Sequence, residues 1–243
     1  MVTKLGVKLF AILEPMHAAI IAGGEGTRMR PVSRQPKAML PIQGKPLLTH
    51  QLEWLKSAGF KNIFLCLGYG AVQIRDHFQD GSSLGLNLDY RIEKEPRGTA
   101  GAVKDLEPEL GEDLLVVYGD LFIRMDCPKL LDFHAKHAGL ATIVARRTDH
   151  PEDSDLLEAA ADGRVLKVAR GLSTDLACAA VWVIRKGLLA YAPKDKPSDF
   201  AKHVFPKAVS DGKTLMAYKT DELVADVGTP RRYEAVVKKL SPS

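Results

Sequence analysis

The sequence predicts an α/β fold: a doubly wound, mostly parallel sheet with helices on both faces and an antiparallel region inserted in its second half. Three observations carry that expectation. Apolar runs rich in β-branched residues alternate with segments of helical period from Ala18 onward, the rhythm of strand, helix, strand units. Beyond Leu140 the apolar runs crowd together and Asp162-Gly163 supplies a hairpin turn, which implies antiparallel pairing there. At 243 residues and 46% hydrophobic, the chain is long enough to bury a substantial core, and one domain is the economical reading.

The elements follow in order. Residues 18–22, all Ala and Ile, form a buried first strand, and residues 47–58 place Leu47, Leu48, Leu52, Trp54 and Leu55 at helical spacing, as core packing requires. A strand over 62–67, a helix over 72–78, a strand over 86–92 and a helix over 100–106 continue the rhythm. The strongly apolar run 114–118 is the next strand, and 129–137 the next helix. The inserted region then offers strands over 142–146, 156–159, 164–168 and 179–184. Helix 199–210, strand 214–218 and helix 230–240 close the pattern, with Pro230 suited to a first helical turn because its missing N–H is unneeded there.

Composition narrows the function. The formal charge of +4 is modest and the basic residues are dispersed, which argues against a nucleic-acid arm. Three widely spaced cysteines, Cys66, Cys127 and Cys178, form neither a disulfide framework nor a zinc knuckle and fit a reducing cytoplasm. No apolar stretch approaches the roughly 20 residues that span a bilayer, so no membrane partner is expected. Lys4 and Lys8 before Leu9-Phe10-Ala11-Ile12-Leu13 faintly imitate a signal peptide, but the apolar part is short and no small-residue cleavage site follows. Residues 1–15 therefore read as an appendage, and Met16 as the start of a single folded domain, 16–243.

The most informative segment is Ala22-Gly23-Gly24-Glu25-Gly26-Thr27-Arg28-Met29-Arg30-Pro31, directly after the first strand. Its glycines allow positive φ and let backbone N–H groups approach an anion. A dinucleotide fingerprint fails because Met29 stands where its last glycine belongs, and Gly44-Lys45-Pro46 is no Walker loop. Arg28, Arg30, Arg34 and Lys37 lie on or just beyond the turn, the arrangement that neutralises a triphosphate. A glycine turn without ligand, followed by a solvated charge run, is the plainer alternative.

Two acids complete the chemistry. Asp120 ends the strand Val116-Val117-Tyr118-Gly119, and Asp226 follows Leu223-Val224-Ala225; ligands of open α/β sheets gather beyond such strand ends. Two carboxylates can share one Mg²⁺ that keeps waters and takes phosphate oxygens. Either aspartate alone is as readily a turn or cap residue.

Gly23-Gly24-x-Gly26-Thr27-Arg28-x-x-Pro31, then Pro36-Lys37-x-x-x-Pro41-x-x-Gly44-Lys45-Pro46, resembles the signature of the NDP-sugar pyrophosphorylases, or sugar-1-phosphate nucleotidyltransferases. The segments 150–156 and 198–206 resemble the mannose-1-phosphate and heptose-1-phosphate guanylyltransferase branch. The resemblance implies a Rossmann-like fold with an inserted sugar-binding region, and transfer of a nucleoside monophosphate from an NTP to a sugar 1-phosphate. It assigns Arg28 and Lys37 to the reacting phosphates, and Ala22, Gly23, Gly24, Gly26 and Thr27 to the nucleotide. Asp120 and Asp226 become the Mg²⁺ ligands. Glu93, Gly98, Thr99 and Ala100 fall on the base side, where a Glu93 carboxylate weakly favours GTP because guanine presents adjacent N–H donors. Glu158 and Cys178 are the sugar-side candidates.

The sugar side also departs from the pattern. Relatives carry Asn-Ala-Gly where this chain has Cys178-Ala179-Ala180, and a Glu-Lys pair where it has Ala169-Arg170. A thiol does not replace an amide that bonds hydroxyls. A catalytically silent sugar-nucleotide-binding regulatory subunit is therefore the alternative, and a homodimer is compatible with either reading. His134 and His137, at helical spacing without an added acid, read as structural surface residues rather than metal ligands. No Gly-x-Ser-x-Gly elbow or nucleophile context supports covalent catalysis.

Overall fold

The structure, a computed structural model, describes residues 16–241. The expected appendage, residues 1–15, lies outside the described residues. In chain order the elements are β1 (His17–Ala22), β2 (Pro41–Ile42), β3 (Lys45–Pro46), α1 (Leu47–Ser57), β4 (Asn62–Leu67), α2 (Ala71–Phe78), β5 (Asn87–Ile92), α3 (Gly98–Lys104), β6 (Asp113–Tyr118) and β7 (Leu121–Arg124). They continue as α4 (Cys127–Lys136), β8 (Ala141–Arg147), β9 (Leu156–Ala159), β10 (Val165–Ala169), β11 (Leu176–Arg185), α5 (Phe205–Ser210), β12 (Leu215–Lys219), β13 (Leu223–Asp226) and α6 (Pro230–Leu240). The class is the expected one, mixed α/β around a mostly parallel sheet.

The chain divides into two compact units. The first consists of Ala18–Pro96, Val117–Met125 and the described residues from Glu222 onward, the second mainly of Arg97–Val116 and Asp126–Asp221.

In the first unit β1, β4 and β5 pair in parallel, with Ala19 opposite Phe64 and Leu65 opposite Tyr90. Strand β4 is apolar and buried from Ile63 to Leu67, as a central parallel strand covered on both faces must be. Helix α1 buries Leu47, Leu48, Leu52 and Leu55 completely. A short antiparallel ladder pairs β13 with β7, setting Asp226 opposite Leu121 and Ala225 opposite Phe122. Under that ladder Met29, Leu40, Ile42, Leu47, Phe122, Val227 and Val236 form one core cluster. Burying a side chain the size of Phe122 contributes about 1.5–3 kcal/mol.

In the second unit β8 lies between β11, antiparallel, and β12, parallel, while the β9–β10 hairpin joins through β11. The Asp162-Gly163 turn closes that hairpin as expected, with Gly163 at φ 86° and Ala160 N–H donating to the Arg164 carbonyl at 2.8 Å. Trp182, Phe200 and Phe205 are fully buried and meet at ring-centre distances of 5.3 to 5.6 Å. The helix expected over 199–210 opens as a wide π-type turn, Phe200–Val204, before α5. Pro206 has no N–H for the Lys202 carbonyl, so a regular α-turn lacks one of its bonds there. Strand β11 starts earlier than expected and slips register between Cys178 and Trp182, and Ala180 in that bulge takes φ 55°.

Candidate active site

The glycine segment leaves the end of β1 and turns into one tight helical turn, Thr27–Met29. Of its three glycines Gly26 takes the left-handed conformation, φ 62°, and nothing crowds Gly24. Met29 N–H donates to the Gly26 carbonyl at 2.8 Å, and Met29 is buried in the core cluster, so the turn is pinned immediately beyond Arg28. Among the described residues, no internal hydrogen bond takes up the backbone N–H of Gly24, Glu25, Gly26 or Thr27. Gly24, Glu25, Thr27 and Arg28 are exposed. Unspent amides beside an exposed guanidinium are chemically able to receive an anion.

Lys37 follows buried Pro36 and precedes buried Ala38, and its stem runs along the loop: a methyl group on Gly26 would sit 3.2 Å from Lys37 Cγ. Its ammonium bonds Asp120 Oδ2, with both side chains mostly sheltered from solvent. Asp120 owes its place to Gly119, where a methyl group would press 2.5 Å from Ala22 Cβ. Gly119 N–H also donates to the Ile21 carbonyl at 2.8 Å, which sets Asp120 beside the loop at the end of β1.

Asp226 reaches the same place by register. Val227 N–H donates to the Asp120 carbonyl at 2.9 Å, stitching the end of β13 to the turn before β7. Asp226 Oδ1 accepts from Gly228 N–H, and Oδ2 accepts from Arg232 Nη1 at 2.6 Å. A point one carbon bond out from Gly228 lies 2.7 Å from Asp226 Oδ1, 3.4 Å from Arg28 Nη2 and 3.4 Å from Asp120 Oδ2. The two carboxylates therefore stand within the sum of 2.7 and 3.4 Å of each other, with Arg28 on the same spot. Such a pair of oxygen donors, with no thiol or imidazole beside it, fits a hard divalent cation that keeps some of its waters. No group of three or more acids, histidines and cysteines arranged for a metal occurs among the described residues.

Glu93 extends β5, its N–H donating to the Leu67 carbonyl at 2.8 Å, and its carboxylate ends beside the loop. A methyl group on Gly23 would lie 3.3 Å from Glu93 Oε2. Two residues missing from the sequence reading belong to this unit. Gln51, fully buried in α1, donates through Nε2 to the carbonyls of Tyr118 at 2.7 Å and Leu121 at 2.8 Å, which bracket Gly119 and Asp120. A polar residue at a buried position of an otherwise leucine-lined helix was the signal available for it. Arg232 was masked by its place in a basic, exposed-looking helix.

The remaining candidates belong to the second unit. Gly98, Thr99 and Ala100 begin α3, where Ala100 N–H donates to the Ser198 carbonyl at 2.8 Å and Thr99 Oγ1 accepts from Phe200 N–H at 3.1 Å. Glu158 is exposed and lines an open cavity of about 690 Å³ with Arg146, Arg147, Asp175, Lys219 and Asp221. Cys178 is not in that lining; its amide donates to the Asp155 carbonyl at 2.8 Å, and Arg170 Nε bonds Asp155 Oδ1 at 3.0 Å. Burial, and then the Asp155 charge, push the Cys178 thiol far above its ordinary value. His134 is no surface residue: it is buried, with Nδ1 bonded to Thr142 Oγ1 at 2.8 Å and Nε2 3.4 Å from Asp113. Its role is structural, as expected, but through an internal polar network.

A family model described as nucleotidyl transferase matches residues 17–242, and the chain belongs to that family. Over 238 residues it is 30% identical to mannose-1-phosphate guanylyltransferase of Mycobacterium tuberculosis, covering 94% of this chain and 66% of that protein. UTP–glucose-1-phosphate uridylyltransferase of Synechocystis sp. is 28% identical over 248 residues, covering 93% of this chain and 64% of that one. The chain spans just under two thirds of the length of these curated relatives. HddC from Yersinia pseudotuberculosis superposes with a TM-score of 0.79 at 27% identity, covering 93% of this chain and 99% of HddC. HddC has also been solved in complex with GMP-PN.

Proposed function

We propose that the protein transfers a nucleoside monophosphate from an NTP to a sugar 1-phosphate, giving the NDP-sugar and pyrophosphate. The observation that carries this reading is the meeting of Arg28, Asp120 and Asp226 around Gly228, with Lys37 joining Asp120 to the glycine loop. The loop amides from Gly23 to Thr27 hold the triphosphate. Arg28 and Lys37 neutralise the charge that gathers on the leaving pyrophosphate. An oxygen of the sugar phosphate attacks the α-phosphorus in line as the bond to the β-phosphate oxygen breaks. That nucleophile is already an anion, so no strong general base is needed, and positioning supplies most of the rate. Asp120 and Asp226 would hold Mg²⁺, which supplies further neutralisation of the phosphates.

GTP is the favoured nucleotide. Support comes from the Glu93 carboxylate beside the loop, from the guanylyltransferase among the relatives, and from the GMP-PN complex of HddC. Mannose- or heptose-type sugar 1-phosphates are the favoured acceptors, with Glu158 and Cys178 as the sugar-side candidates. Two observations favour a second reading, a sugar-nucleotide-binding regulatory subunit without turnover: Arg170 is engaged with Asp155, and Cys178 offers a neutral thiol where the family resemblance leads one to expect an amide.

The test is a matrix of NTPs against sugar 1-phosphates in Mg²⁺, read by pyrophosphate release. GTP with a manno-configured acceptor is expected to be fastest, and Arg28→Ala and Asp120→Ala are expected to lose turnover while remaining folded. Wild-type rates in both variants would refute the assignment, and tight GTP binding without any pyrophosphate would establish the regulatory reading.

A further inference from the structure

A tripeptide outside the signature segments grips the phosphate loop at both ends. Gly68-Tyr69-Gly70 links β4 to α2. Gly68 packs on Gly23 so closely that a methyl group there would lie 2.5 Å from the Gly23 carbonyl oxygen, and Tyr69 N–H points to the same oxygen at 3.4 Å. Eleven and thirteen positions after Gly23 the loop returns to this tripeptide, at Arg34 and Pro36: the Tyr69 hydroxyl donates to the Arg34 carbonyl at 3.0 Å, and Gly70, at φ 72°, presses on the Pro36 ring where no side chain fits. Lys37 is the next residue.

We propose that Tyr69 is a positioning residue that fastens the return arm of the phosphate loop to its start, holding Lys37 in place for the nucleotide before the nucleotide arrives. The inference rests on the reading of the loop as an NTP site. Its physical basis is entropy. Ordering backbone on binding costs conformational entropy, so a loop already closed in the free protein binds phosphate without that loss. The tyrosine is 43% exposed and its ring is no part of the core, so its hydroxyl-to-backbone bond is what distinguishes it from phenylalanine. A core-packing role would need the ring and not the oxygen.

The deciding variant is Tyr69→Phe, with Tyr69→Ala beside it. In the free protein, amide exchange over residues 24–37 is expected to quicken severalfold in Tyr69→Phe, with the thermal midpoint unchanged. In turnover, the KM for GTP is expected to rise about fivefold, the worth of one net hydrogen bond, while kcat stays within about twofold. Tyr69→Ala is expected to show the larger KM effect, and phenylalanine should restore only the part due to the ring. Unchanged exchange, or a wild-type KM in Tyr69→Phe, would overturn the proposal. Exchange needs no nucleotide, so it decides the tether by itself; a wild-type protein that neither bound nor turned over any NTP would instead overturn the reading of the site, and the positioning role with it.

Discussion

Gln51 shows how much a single buried side chain can govern. Its amide gives both hydrogens to the carbonyls on either side of Gly119-Asp120, while its own Oε1 has no partner. Gln51→Leu removes two bonds and strands two buried carbonyls, at about 1–3 kcal/mol each, but also removes one unpaired oxygen. The expected net loss is about 2 kcal/mol, readable as a lower urea midpoint at unchanged slope. Ala180 works in the opposite direction. An L-residue at φ 55° is strained by roughly 1–2 kcal/mol, and the extra freedom of an unfolded glycine returns about 0.5–1 of that. Ala180→Gly should therefore stabilise the protein by about 0.5–1 kcal/mol; a destabilised variant would show that the bulge needs its methyl group.

Among the elements, the junction of β13 and α6 sets the acid site. Thr229 caps α6 through the Arg232 N–H at 3.4 Å, and the Arg232 side chain comes back to Asp226. Groups that orient a ligating carboxylate are worth about 10- to 100-fold in metal affinity or activity. Arg232→Gln is expected to lower kcat/KM by about tenfold without unfolding the protein, measured by pyrophosphate release at several Mg²⁺ concentrations. The glycine loop was legible in the sequence because its chemistry sits in contiguous residues, and Asp120 because a long apolar run points to it. Strands β7 and β13, four residues each, were not, since four residues show no reliable period. Arg232 and Gln51 were hidden for a related reason: their meaning lies in which backbone they touch, and a polar residue in a helix announces no partner. The bulge in β11 escaped notice because the run Ala179-Ala180-Val181 reads as an ordinary apolar strand.

At the scale of the molecule, the thiols tie stability to pH. Burial, with Asp126 nearby, pushes the Cys127 thiol far above its ordinary 9.0, and burial with Asp155 does the same to Cys178. Both stay protonated when folded and ionise on unfolding once the pH exceeds 9.0. The unfolded chain then holds fewer protons than the folded one, so this stabilisation is complete below that pH and falls as pH rises through it. The limiting slope is about 1.4 kcal/mol per pH unit for each thiol. Urea unfolding at pH 8 and pH 10 should show the fall, and Cys127→Ala should remove about half of the thiol contribution; an unchanged pH profile in that variant would rule the mechanism out. Among the described residues no helix is long and apolar enough to cross a membrane.

The Asp120 carbonyl and the Val227 amide are joined across more than two fifths of the polypeptide's length. On a ribosome, the glycine turn, Lys37 and the first acid would all emerge well before the second acid is made. Until β13 is added alongside β7, the nascent protein carries only one side of its acidic pair, and the Phe122 side of the ladder has no strand beside it. Closure of the acidic pair thus waits until β13 has been made, and a product released before that strand leaves the edge of β7 without its partner.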